Sequence, residues 1–129
     1  MLKILFISLY ALSLSVSINN SSYAESSISE KDIVDIFKKS MKYWKINYDT
    51  LDKNKSGAAC IPWKNLNKEF VNKEIFIALG YGFSLFDINI GKKAALEGCE
   101  RMRRANKIED TCDCEMILYN DEILIEIKK

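Results

Sequence analysis

Two pairs of side chains near the C-terminus have a spacing that could carry chemistry. Cys112 and Cys114 flank the single residue Asp113, and a thiol pair that close could act as a redox couple or hold a soft metal. Glu115 and Glu126 lie on two β-rich stretches joined by Asn120-Asp121. If those stretches pair as a hairpin, the two carboxylates face each other and could bind a cation or share a proton. Both readings meet objections. The chain contains no histidine, which removes the commonest general base and metal ligand and any Ser-His or Cys-His nucleophile pair. Zinc sites favour C-x2-4-C spacing, whereas this is a C-x-C. A low thiol pKa generally needs a helix N-terminus, while this pair opens a strand beside two acids, which should raise it. The glutamates have no third acidic ligand. We therefore assign no catalytic residue, no metal ligand and no cofactor-binding residue, and expect a protein that is not an enzyme.

The same cysteines have a structural reading. Cys60, Cys99, Cys112 and Cys114 are an even set in a small domain, which argues for two disulfides with three possible connectivities. That reading depends on the compartment. Met1-Leu2-Lys3 precedes an apolar stretch from Ile4 to Val16, and Ser22-Tyr23-Ala24 places small residues three and one before a cut. This is the pattern of a secretory signal peptide. We expect 1–24 to be a signal peptide and 25–129 one small domain in the periplasm or secreted. The stretch is short for a membrane span, so no stable membrane insertion is expected after cleavage. Without Lys3, the 19 basic residues fall to the number of the acidic ones, 18. A net charge of zero gives no reason to expect nucleic acid as a partner.

The elements that must position the cysteines follow from periodicity. Ser29 and Asp32 resemble a capping box, and Ile33, Phe37, Met41, Trp44 and Tyr48 recur at steps of three and four, which predicts an amphipathic helix over 30–48. Its lysine-rich outer face reads as solvated. Residues 49–57 read as a loop and 58–73 as irregular with room for one short helical turn, Pro62 biasing Ile61 to an extended form and Trp63 and Phe70 packing on the core. Residues 74–79 suit a well-covered strand, continued by Gly80-Tyr81-Gly82. Glycines on alternate positions leave one strand face bare, for a close helix, a bulge or a ligand; packing is the preferred reason.

A second helix is expected over 88–106, capped by Asp87 or Asn89. Its inner face, Ile88, Gly91, Ala95, Gly98, Cys99 and Met102, is mostly small, so it can sit close to a sheet. The basic cluster Arg101, Arg103, Arg104 and Lys107 is interleaved with acids and reads as surface rather than an anion site. Residues 112–119 and 122–128 are expected to form a hairpin pairing 119 with 122, 116 with 125 and 114 with 127. That register puts Cys112, Cys114, Met116, Leu118, Ile123, Ile125 and Ile127 on one face. Cys99 then points from the helix towards the strand face carrying Cys112 and Cys114, which favours helix-to-sheet bonds; we pair Cys99 with Cys114 and Cys60 with Cys112.

Ala94-Ala95-Leu96-Glu97-Gly98-Cys99, a polar loop and Cys114-Glu115-Met116-Ile117-Leu118-Tyr119-Asn120-Asp121 resemble the A-L-x-x-C helix and C-starting hairpin of a family of small exported bacterial domains of unassigned function. The resemblance covers residues 75–127, about half of the mature chain. It implies a helix-to-strand disulfide at the positions of Cys99 and Cys114. The chain departs from the family in a shortened segment before the helix, in Glu115 where a basic residue is usual, and in the additional pair Cys60 and Cys112. The expected fold is α+β: an N-terminal helix, then a β-α-β-β unit with a small, mainly antiparallel sheet of about three strands, cross-linked by two disulfides. The expected role is a non-catalytic module binding an unknown protein or cell-envelope partner, the alternative being a thiol-redox or metal protein using Cys112 and Cys114.

Overall fold

The computed structural model describes residues 27–128; the signal peptide expected at 1–24 lies outside them. The elements run α1 (Glu30–Tyr43), β1 (Lys55–Ile61), α2 (Lys68–Lys73), β2 (Leu79–Phe83), α3 (Ile88–Ala105), β3 (Asp113–Tyr119) and β4 (Glu122–Ile123), with short 3-10 turns at Tyr48–Thr50 and Trp63–Asn65. The strands form one antiparallel sheet in the order β2-β1-β3-β4. The fold is α+β, as expected.

The sheet has a layer on each face. Ile33, Ile36, Phe37 and Met41 of α1 pack on Ala59, Ile61, Leu79, Ile117 and Leu118, burying the apolar stripe that made α1 legible. On the other face Ala95 and Cys99 of α3 pack on Ala58, Cys60 and Ala78. Here the contact is close to backbone on backbone. A Cβ added to Gly80 would land on the Ala95 carbonyl and the Cys99 amide, and one added to Gly82 would meet Gly91 and Ala94. The alternate glycines of β2 are bare because the helix occupies that space.

Four expectations need correction. The first helix ends at Tyr43 rather than 48, because Lys45 takes a left-handed conformation, φ 63°, and the amides of Lys45 and Ile46 turn back to the carbonyls of Lys42 and Met41. These two bonds make a Schellman cap with lysine where glycine is usual. Second, residues 58–61, read as irregular, belong to β1, a central strand buried along its whole length, so the sheet has four strands. Residues 68–73 form α2, capped by the Asn67 side chain. Third, the strand expected from 74 is paired in the sheet only from Leu79 to Phe83.

The last correction concerns the hairpin. Its register is as expected at the turn, Tyr119 with Glu122 and Leu118 with Ile123, and the Leu124 amide still reaches the Ile117 carbonyl at 2.9 Å. Pairing then stops. Gly57 of β1 opposes Leu118 while the next residue, Ala58, opposes Met116, so Ile117 is an extra residue in β3, a bulge. The bulge turns Leu118 into the core under α1 while Met116 stays on the α3 side. Cys112, Cys114, Met116 and Leu118 therefore do not share a face. Residues 124–128 leave the sheet, and Ile125 enters the α1 core. Tyr48 fastens this end: its hydroxyl donates to the Asn120 carbonyl at 2.9 Å, and burial, with Asp121 and Asp49 nearby, pushes the phenol far above its usual range.

Candidate functional site

The cysteines were the first candidates. Cys60 and Cys114 are cross-strand neighbours in β1 and β3, both on the α3 side, yet they are not bonded to each other. Cys60 is bonded to Cys112, with 5.3 Å between Cα atoms, and Cys99 to Cys114, with 6.0 Å; no cysteine is free. Both separations suit an unstrained bridge. Cys112 and Cys114 are thus tied to different elements in the two pairs chosen from the sequence, and these bonds leave no free C-x-C couple for the alternative reading. Among the described residues no three His, Cys, Asp or Glu side chains converge as metal ligands do.

Glu115 and Glu126 are not paired across the hairpin, though both line the open groove between β3 and the tail. Glu126 lies exposed on the tail beyond the last paired residues, because the bulge ends the hairpin before the 115 to 126 pairing can form. Glu115 instead accepts from the Trp63 indole N–H at 2.6 Å and from Lys128 Nζ at 2.7 Å. Lys128 also stands 5.7 Å from the Trp63 ring centre, and its ammonium is held protonated to higher pH by Glu115. Both carboxylate oxygens of Glu115 are occupied. This cluster pins the tail and the segment after β1 to β3, and sequence spacing could not have found it, since residues 63, 115 and 128 come from three elements.

A different surface stands out, the outer edge of β2. The Cys60 amide donates to the Ala78 carbonyl at 2.9 Å and the Ser84 amide to the Asn54 carbonyl at 3.4 Å. By the alternation of an antiparallel pair, Ala78, Gly80 and Gly82 turn their backbone groups towards β1. Leu79, Tyr81 and Phe83 turn theirs outward, where no partner meets them among the described residues. β2 is an edge strand of the sheet. Natural edges are usually protected by charge, proline or a covering element, but residues 75–86 contain no charged residue and no proline. Tyr81 and Phe83 are exposed on the α1 side of this edge, Ile77 is exposed just before it, the turn that follows exposes Leu85 and Phe86, and the first turn of α3 exposes Ile90. Phe86 is 95% exposed, held there by the Ser84 hydroxyl, which accepts from the amides of Phe86 and Asp87.

At the other end of the same edge lies a cavity of about 200 Å³. Phe70, Ile75, Phe76, Ile77 and Ile108 line it, the Cys60–Cys112 disulfide closes one wall, and Asn65, Glu74 and Thr111 supply its polar atoms. A larger but open groove of about 500 Å³ runs between β3 and the departing tail; its mouth is wide and it encloses little. The signal for the β2 surface was present in the sequence as an uncharged dozen residues. It was read as a covered strand because only a sheet order can show that the strand is at the edge. No family model matches the chain, and neither the curated proteins nor the solved structures compared with it give a match.

Proposed function

We propose that the protein is an exported, non-catalytic binding module whose contact surface is the outer edge of β2 with the apolar turn that follows it. The observation that carries this reading is the combination of a backbone edge with no partner among the described residues and exposed Ile77, Tyr81, Phe83 and Phe86. An extended segment of a partner can add as a further strand there, main-chain bonds giving affinity and the flanking apolar groups specificity. Export is supported by the signal-peptide pattern of 1–24, by the resemblance to small exported bacterial domains, and by two disulfides, which persist in an oxidising compartment. A protein or cell-envelope partner in the periplasm or outside the cell fits that location.

The test is a photo-reactive phenylalanine analogue at position 86 in the protein expressed in an exporting host. Irradiation should give a discrete adduct on a chain whose intact mass lacks the first 24 residues. Failure to form any adduct, or a mass that retains 1–24, would overturn the reading.

A further inference from the structure

We infer that the partner of this surface is a second copy of the chain, joined β2 to β2 in antiparallel fashion about a twofold axis through Tyr81. The inference deepens the binding role proposed above and rests on it. Its basis is that the edge is complementary to itself. With Tyr81 opposite Tyr81 of the partner copy, Leu79 faces Phe83, so the side chains that meet about the axis on the α1 side are apolar. The outward residues Leu79, Tyr81 and Phe83 are those that exchange both N–H···O bonds with their opposites in such a pairing, which supplies partners to the unpartnered backbone groups.

Residues 75–86 carry no charge, so two identical edges can meet without like charges facing each other. An unrelated strand would satisfy the backbone as well, but it would not explain what stands at the two ends. Before Tyr81 lies the apolar cavity walled by Ile75, Phe76 and Ile77. After it, separated by about the same length of chain, stand Leu85 and the fully presented Phe86. A twofold axis through Tyr81 brings the projection of each copy to the cavity of the other. An apolar cavity of roughly 150 Å³ suffices to take up benzene, so one of about 200 Å³ has room for a phenyl ring. The contact is isologous and closes as a dimer rather than extending into fibres.

Sedimentation velocity on the mature, oxidised protein from about 1 µM to about 1 mM, the range of ordinary reversible association, should show a monomer–dimer equilibrium. Tyr81→Lys sets two ammonium groups against each other across the axis and should leave only monomer. Phe86→Ser should weaken the dimer by at least about tenfold. Both side chains are exposed in the single chain, so circular dichroism of the variants should match the parent. Hydrogen exchange supplies an independent readout. The amides of Leu79, Tyr81 and Phe83 should slow as concentration rises, while those of Gly80 and Gly82, already bonded within the sheet, should not change. A monomer throughout, or a dimer indifferent to both substitutions, overturns the inference. Adducts from position 86 to a different protein, with the chain itself monomeric, would also overturn it but leave the binding role standing; no adducts at all would remove both.

Discussion

At the scale of single residues, the start of α1 shows how far local pattern reaches. The Ser29 hydroxyl accepts from the Asp32 amide at 3.2 Å while the Asp32 carboxylate accepts from the Ser29 amide at 2.9 Å, the reciprocal capping box that the spacing predicts. Lys68, from α2, adds a third contact at 3.0 Å, which no local reading could supply because it lies 36 positions further along the chain. The Ser29 backbone bond first, and Lys68 next, hold the Asp32 carboxyl below its usual value of 3.8. A carboxyl whose pKa is lower in the folded than in the unfolded chain contributes stability that is full above the unfolded value and disappears as pH falls through the folded one. Asp32→Asn should therefore cost stability at pH 6 and less at pH 3, where the contribution of the charge has begun to fall. Urea unfolding of both proteins at the two pH values measures the gap. A gap that does not narrow in acid would place the origin of the effect elsewhere than in the charge.

At the scale of elements, helices with a clear stripe and the turn of the last hairpin are legible, whereas the apolar, β-branched runs 74–79 and 122–128 pair in the sheet only at one end and β1 is not legible. Its sequence, Lys-Ser-Gly-Ala-Ala-Cys-Ile, carries turn and small residues with little strand preference. They are small because layers press on both faces: a Cβ on Gly57 would enter the Phe37 ring, and Ala58 lies in the α3 cluster. Tertiary contact, invisible in a local window, overrides propensity there. The small face of α3 and the bare face of β2 were each readable alone, and the structure shows them to be the two halves of one contact. Gly80→Ala should therefore destabilise strongly, by about 2 to 3 kcal/mol or more, since overpacking of a rigid backbone contact cannot relax through a rotamer. Gly98 is the internal control. A Cβ there meets only the Gly80 Cα at 3.4 Å and the end of Arg101, ordinary contacts, and alanine is favoured over glycine in a helix interior by about 1 kcal/mol. Gly98→Ala should be neutral or stabilising in thermal melts. Equal losses from both substitutions would mean that general crowding of the α3 layer, rather than this one approach, limits the fold.

At the scale of the whole molecule, the two layers are held by different means. The α1 side has a core of large side chains, Phe37, Tyr48, Phe76 and several isoleucines, whereas the buried members of the α3 cluster are alanines and cysteines. Small residues bury little apolar area each, so the layer that packs closest has least hydrophobic stabilisation, and both disulfides lie on that side. Cys99–Cys114 ties α3 to β3 across 15 residues. Cys60–Cys112 ties the end of β1 to the segment entering β3 across 52. If restriction of the unfolded chain dominates, the longer loop contributes more, about 4 kcal/mol against about 3 for the shorter. For a domain of typical total stability, roughly 5–15 kcal/mol, either loss is severe. Cys60→Ala with Cys112→Ala should thus lower the urea-extrapolated stability by about 1 kcal/mol more than Cys99→Ala with Cys114→Ala. The reverse order has a physical meaning too. Cys99 is fully enclosed and Cys60 nearly so, but only the Cys99 bridge spans the contact between α3 and the sheet. A greater loss from the shorter loop would show that docking of this helix, and not the entropy of the unfolded chain, is what the second bridge secures.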